Sequence, residues 1–330
     1  MKLSTSPKLV TIFGGSGFVG RHLVRRLANR GYQIRVAVRR PDLAFHLQPL
    51  GNVGQIQLVQ ANLRYRKSID AAVKGSDVVV NLVGILQESG RQKFNAVQNF
   101  GARAVAEAAR AEGAELVHMS AIGANSESTS AYGESKGDGE AAVHEVMKSS
   151  VILRPSIVFG PEDDFFNRFG AMARISPFLP LIGGGKTLFQ PVYVGDVAEA
   201  FALAVDGKLK AGATYELGGS EILSFRQCLE LLLREIGRSR MLVSLPWFVA
   251  TAMGKLIGWL PGAPITYDQV EMLKTDNVVS DEANKQKRTL EGIGITPTPM
   301  AAILPSYLVQ YREHGQFTKL KDPKEENGDS

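Results

Sequence analysis

Gly14, Gly17 and Gly20 stand three residues apart, directly behind the β-branched and aromatic run Lys8 to Phe13. They open a segment that carries Val19, Leu23, Val24 and Leu27 on one helical face. Few backbone arrangements tolerate that order. The run reads as a buried strand, the glycines as a tight turn, and the segment behind them as a helix that Gly31 ends. Gly14 permits the turn, Gly17 lets backbone approach a bound group, and Gly20 lets the helix lie close to the sheet. The freed N–H groups and the positive helix end make this turn a cradle for a diphosphate. A second strand, Gln33 to Val38, completes the unit in which the spacing is informative. Ser16, Phe18 and Val19 are therefore expected beside the same diphosphate as the three glycines.

Strand and helix patterns then alternate. Strands are expected at Ile56 to Gln60, Asp77 to Val83, Glu115 to Ser120, Val151 to Leu153 and Thr214 to Leu217. Helices are expected at Ser68 to Lys74, Phe94 to Glu112, Ser135 to Lys148 and Gly195 to Val205. Such alternation predicts an α/β Rossmann fold, a doubly wound parallel sheet covered on both faces. After Pro155 the pattern is mixed: a helix from Asp164 to Arg174, a Pro/Gly loop from Phe178 to Lys186, and helices and loops beyond Ser220. The expected division is residues 1–160 with 187–219 as the dinucleotide-binding domain. Residues 161–186 with 220–318 form a smaller, mixed and mainly helical domain, and 319–330 a flexible tail.

The chain has 330 residues, 44% of them hydrophobic, which suffices for this core. A net charge of +5, dispersed along the chain, is no footprint for nucleic acid. One cysteine, Cys228, excludes an intramolecular disulfide, and no His or acidic cluster demands a metal. Met241 to Leu260 has few polar residues, but Pro246, Gly254, Lys255 and Gly258 interrupt it, so a partly buried helix is expected rather than a transmembrane segment. Its Trp247, Phe248, Ile257, Trp259 and Leu260 are candidates for an apolar surface or for the core of the smaller domain. The short polar start, Met1 to Lys8, lacks the features of a signal or transit peptide, and a cytoplasmic location is expected.

Cofactor choice is read at the end of the second strand, which runs Val38-Arg39-Arg40, with the nearest acid, Asp42, beyond Pro41. A carboxylate at this place serves a ribose hydroxyl and repels a 2′-phosphate, whereas guanidinium groups grip the phosphate. NADP(H) is expected over NAD(H), with Arg39 as the main contact and Arg40 or Arg21 assisting. Asn62 and Leu63, after the third strand, are expected near the adenine, and Val83 and Gly84, after the fourth, near its ribose.

Tyr132 and Lys136 are four residues apart, on one helix face. A nearby ammonium and the nicotinamide charge lower a phenol's pKa, so that it can exchange a proton with a carbonyl or alcohol oxygen. Ser120 could bind the same oxygen, and Asn99 could help to place the nicotinamide.

These motifs resemble the short-chain dehydrogenase/reductase superfamily in its extended or atypical form. Leu153-Arg154-Pro155-Ser156-Ile157-Val158-Phe159-Gly160-Pro161 is similar to the Arg-Pro…Tyr-Gly-Pro turn of extended members, and places Pro155 and Ile157 among the cofactor-binding residues. Pro191 to Ala198 and Tyr215 to Gly219 are similar to their later segments. A narrower resemblance rests on Phe159 to Asn167, Gln190 to Val194, Ile265 to Glu271 and Leu290 to Ile295. These are similar to the NADPH-binding accessory subunits of respiratory complex I (NADH:ubiquinone oxidoreductase) and their bacterial relatives. That resemblance implies a bound NADPH of structural role, on the peripheral arm near the quinone region, at the inner face of the respiratory membrane. It leaves open an active NADPH-dependent reductase with Tyr132 as acid/base, Lys136 tuning it and Ser120 placing the oxygen of a lipophilic, quinone-related or sugar-nucleotide substrate. A redox sensor is the third reading. One departure bears on turnover: Ala121 and Ile122 follow Ser120 where extended members often carry hydroxyl residues.

Overall fold

Seven parallel strands form the sheet at the centre of the computed structural model, which describes residues 7–313 except 87, 89, 91–92 and 259–264. In chain order the first elements are β1 (Leu9–Phe13), α1 (Phe18–Asn29), β2 (Gln33–Val38), β3 (Ile56–Gln60), α2 (Arg66–Val73) and β4 (Val78–Asn81). A π-helical turn, Asn95–Asn99, then leads into α3 (Phe100–Glu112), β5 (Glu115–Met119), α4 (Ala131–Val146) and β6 (Val151–Pro155). After β7 (Val158–Phe159) come α5 (Phe165–Ile175), β8 (Phe178–Ile182), β9 (Leu188–Phe189), β10 (Val192–Tyr193), α6 (Val194–Val205) and β11 (Thr214–Leu217). The order across the sheet is β11-β6-β5-β4-β1-β2-β3. The chain winds outward from β1 through β2 to β3, then restarts on the other side at β4. The carboxyl ends of β1 and β4 therefore flank the switch point, where such sheets open a crevice.

Alternation along the strands builds the two faces. Val10, Ile12, Val36, Val38, Val78 and Val80 pack beneath α1 and α6. Phe13, Ala37 and Val79 meet α2, α3 and Val143 of α4 on the other side. All are buried, as the near-continuous apolar character of doubly covered parallel strands requires.

The remaining elements are β12 (Leu223–Ser224), α7 (Phe225–Ile236), β13 (Met241–Leu245), α8 (Trp247–Ile257), α9 (Tyr267–Met272), α10 (Asp281–Lys285) and α11 (Met300–Leu308). They build a second lobe around an aromatic core of Phe159, Phe165, Phe166, Phe169, Phe189 and Phe225. Leu290, with Ile293 and Ile295 against it, belongs to the sheet's core instead. Two segments depart from the sequence expectation. The stretch expected as a Pro/Gly loop contains β8, paired in parallel with β13 from Phe178↔Met241 to Ile182↔Leu245. The single helix expected from Met241 is divided at Pro246, which starts α8. Proline cannot donate to a continuing backbone ladder, and its fixed φ suits a helix start. Trp247 is half-buried and Phe248 is 76% exposed, while Trp259, Leu260, the Ile257 side chain and the expected tail lie outside the described residues. Among the described residues no helix is long and apolar enough to cross a membrane.

Three polar residues, Asn277, Asp163 and Asp196, fix these elements in place. Asn277 receives the Ser156 hydroxyl at 2.7 Å on Oδ1, donates Nδ2 to the Ile122 carbonyl at 3.0 Å and pairs its backbone with Leu188 and Gln190. Asp163, buried, accepts from the N–H groups of Gly160, Phe166 and Asn167 and from the Tyr307 hydroxyl of α11. Asp163 is thus a structural anchor of the Gly160 turn. Asp196 of α6 accepts from the backbone and hydroxyl of Thr298 at 2.7 and 2.9 Å.

Candidate nucleotide site

The turn between β1 and α1 has the conformation its glycines suggest. Gly14 adopts φ +81, and its carbonyl receives the Gly17 N–H at 3.0 Å. A Cβ on Gly20 would lie 2.4 Å from the Gly14 carbonyl oxygen, so only glycine lets α1 start this close to the turn. Gly17, at the helix N-cap, has no side chain to offer, and the first turn of α1 carries no acid. Among the described residues no side chain accepts from the leading N–H groups of α1, an arrangement that favours an anion.

The turn that leads into α1 borders, at Ser16 and Gly17, a cavity of about 280 Å³ at the sheet's switch point. Gly14, Ser16, Gly17, Arg39, Asn62, Leu63, Val83 and Gly84 line it together. Sequence reasoning did not single out the other lining residues, which include Arg64, Ile85 and Val97. Arg64 directly follows the Asn62-Leu63 pair, and Val97 lies in the π-helical turn, which no periodicity announced. Among the described residues that line it, none is acidic. The residues present therefore fit a dinucleotide diphosphate, with a cation at the end of β2 where NAD-binding sites carry a carboxylate.

Arg39 is exposed at the cavity rim. Arg40 lies outside the lining. Its guanidinium is taken by Asp42, with contacts of 2.6 and 3.0 Å, two residues along the chain and outside the cavity lining. Asp42 in turn raises the guanidinium's pKa by hydrogen bond and charge. Arg21, outside the lining, spans from the Ser16 carbonyl at 3.5 Å to Glu162 at 3.0 Å. Phe18, Val19 and Gly20 stand behind the turn rather than in the lining, and Gly20 serves packing.

α4 begins at Ala131, four residues before the expected start, so Tyr132 lies in its first turn. The first N–H groups of α4 are fully answered. Ala131 and Tyr132 donate to the Asp268 carboxylate of α9 at 2.7 and 3.2 Å, and Gly133 donates to the Ser130 hydroxyl at 3.2 Å. Lys136, one turn on, is buried, with its ammonium 5.9 Å from the centre of the Tyr132 ring and donating to the Met119 carbonyl at 3.3 Å. Burial pushes its pKa down to about 8, and the Glu140 charge draws it partly back. Glu140 is held by Arg154 of β6 at 2.6 and 2.8 Å. The Tyr132 phenol is pushed up to about 12, by desolvation first and by the Asp268 charge second. The Lys136 share of the lowering expected from the lysine and the nicotinamide together is thus outweighed by burial and Asp268.

Ser120 is 1% exposed at the end of β5, and its hydroxyl has no hydrogen-bond partner among the described residues. Ile122, two residues on, is buried, with its N–H given to the Pro155 carbonyl. Asn99 ends the π-helical turn, half-buried and outside the cavity lining. Its neighbour Gln98 is the one directed inward. Gln98 is buried, donates Nε2 to the Ile85 carbonyl at 2.6 Å and accepts the Ser135 hydroxyl. Ile157 packs on the aromatic core of the second lobe, and neither it nor Pro155 lines the cavity. His118 is buried and held neutral, its pKa down to about 3 through desolvation and then the Lys136 charge. Its Nδ1 lies 3.3 Å from Asn81, whose Oδ1 accepts the Val83 N–H.

The NAD dependent epimerase/dehydratase family matches residues 10–218. Over 325 residues the chain is 34% identical to the mitochondrial NADH dehydrogenase (ubiquinone) 1 alpha subcomplex subunit 9 of Arabidopsis thaliana, covering 94% of this chain and 80% of that protein. Over 190 residues it is 37% identical to the ceramide reductase of Caulobacter vibrioides, covering 58% of each. In fold it is similar to the dTDP-glucose 4,6-dehydratase of Streptomyces venezuelae, whose crystal structure holds NAD. The TM-score is 0.68 at 19% identity, over 93% of this chain and 97% of that one.

Proposed function

This chain belongs to the NAD dependent epimerase/dehydratase family, and from that premise we propose that it is an NADP(H)-binding accessory or assembly subunit associated with respiratory complex I, in which the dinucleotide is largely structural. The observation that carries the reading is the contrast between two helix starts. That of α1 has no side-chain cap, and the glycine turn before it borders a cavity with no acid among its described lining residues. That of α4 is closed by Asp268, whose charge adds to burial in raising the pKa of the Tyr132 phenol. Such a chain is equipped to hold a dinucleotide more than to pass protons through Tyr132.

Gly14, Ser16, Gly17 and the start of α1 would hold the diphosphate, Arg39 the 2′-phosphate, Asn62 and Leu63 the adenine, and Val83 and Gly84 its ribose. A nicotinamide dinucleotide supplies hydride chemistry when bound. The likeness to a ubiquinone-dependent NADH dehydrogenase subunit extends through most of both chains, which supports a place beside that complex at the inner face of the respiratory membrane.

Two measurements on material from the native source test the proposal. The purified protein should retain NADPH that exchanges slowly, and mild-detergent extracts should contain it in a particle of complex I size. Rapid exchange together with a free monomer or dimer would overturn it.

A second reading, an active NADPH-dependent reductase of a lipophilic substrate, is favoured by the Tyr132/Lys136 pair and by the ceramide reductase likeness. Under that reading Tyr132→Phe should lower turnover by roughly 10²-fold or more. An unchanged rate removes Tyr132 from the mechanism.

A further inference from the structure

We propose that Asp268 is a positioning residue for Tyr132, reaching from the second lobe to fix the first turn of α4 and set the electrostatic surroundings of the phenol. It rests on the reading of the adjoining cavity as a dinucleotide site. Asp268 is free to do this because its own helix does not need it. Thr266 and Gln269 close the start of α9 reciprocally, each side chain bonding the other's backbone N–H at 3.2 Å. The Asp268 carboxylate is thereby left to two N–H groups of another helix, those of Ala131 and Tyr132, 137 and 136 positions away in sequence. A carboxylate at a helix N-terminus is stabilised by the aligned peptide dipoles as well as by the bonds themselves.

The hold on α9 is itself fixed. Val270 is buried in a small cluster with Ile182, Ala250 and Ile265, and the Lys255 ammonium of α8 lies 5.0 Å from the centre of the Tyr267 ring. A shift of α8 or α9 would thus be felt directly at the backbone of Tyr132. Among the described residues the charged groups around the phenol are Lys136 from its own helix and Asp268 from α9, while Phe94 presents only a ring edge. Glu271, also on α9, is occupied by Lys274 at 2.7 Å. Desolvation keeps the phenol protonated, and the Asp268 charge works in the same direction.

The test uses the full chain with its tyrosines replaced by a fluorinated tyrosine, which brings titration into a range the fold survives. The Tyr132 fluorine signal is identified by its loss in Tyr132→Phe. In Asp268→Asn an oxygen acceptor remains but the charge is gone. One of the two N–H groups keeps an acceptor, so the neutral-pH signal should move less than in Asp268→Ala while its titration midpoint falls, with the acid dissociation constant rising on the order of threefold to tenfold. In Asp268→Ala both bonds are lost, and the neutral-pH signal should move as well. Asp268→Glu should restore the midpoint toward that of the parent. A parent-like midpoint in Asp268→Asn, or a neutral-pH signal unmoved in Asp268→Ala, would overturn the assignment. None of these readings requires bound nucleotide, so loss of dinucleotide binding would count against the cavity and not against Asp268.

Discussion

The Lys136 ammonium lies 3.0 Å from the point where a side-chain carbon on Gly84 would begin. The glycine after β4 thus makes room for the lysine as well as for a ligand. Gly84→Ala should displace the flexible end of Lys136 toward the cavity. We expect nucleotide affinity to fall about tenfold, close to 1.4 kcal/mol, with little change in Tm. Calorimetric titration checks the first and thermal melting the second. Unchanged affinity would show that the cavity tolerates the crowded lysine.

Burial holds Lys136 at about 8 against an ordinary 10.5. Below about 8 both folded and unfolded chains carry the proton, and the buried ammonium costs stability. Between about 8 and 10.5 the unfolded chain binds more protons, so stability of the nucleotide-free protein should rise with pH. The full difference is about 3 kcal/mol. Tyr132, raised from 10 to about 12, acts in the opposite sense above 10. Lys136→Met should therefore gain about 1–3 kcal/mol at neutral pH and flatten the rise between pH 8 and 10. Denaturant unfolding across that range reads both.

Arg39 stands at the cavity rim without a carboxylate beside it in the lining. Arg39→Ser should weaken NADPH roughly 10- to 100-fold, as expected for loss of a charge-assisted contact, and leave NADH within a few-fold. Equal losses for both dinucleotides would mean that Arg39 does not meet the 2′-phosphate.

Gly20→Ala drives a Cβ to 2.4 Å from the Gly14 oxygen and 2.6 Å from Gly15. Backbone cannot step aside as a lysine tip can. The expected outcome is a loss of about 3 kcal/mol or more, the upper end of overpacking, with Tm falling before any ligand is added.

The central sheet was legible because its signals are local. β-branched runs, glycine spacing and helical periodicity each act over a dozen residues, and β1, β3 and β11 match the expected limits closely. The glycine cradle, Arg39 and the residues after β3 and β4 were legible for the same reason. What escaped depends on distant partners or on side-chain direction. β8 and β13 are short, and they become strands by pairing with each other. The Asp42 hold on Arg40, the inward turn of Gln98 and the reach of Asp268 to α4 are set by side-chain direction and packing, which spacing does not encode. The direction of the Tyr132 shift follows from burial and from Asp268, neither of which is visible in the four-residue interval to Lys136.

Asn277 meets chain from three places at once: Ile122, Ser156 and the segment of Leu188 and Gln190. A single asparagine thus acts as a suture through both lobes. A protease nick in a surface loop should accordingly release no fragment, and the two pieces should leave a sizing column together until denaturant loosens the stitch.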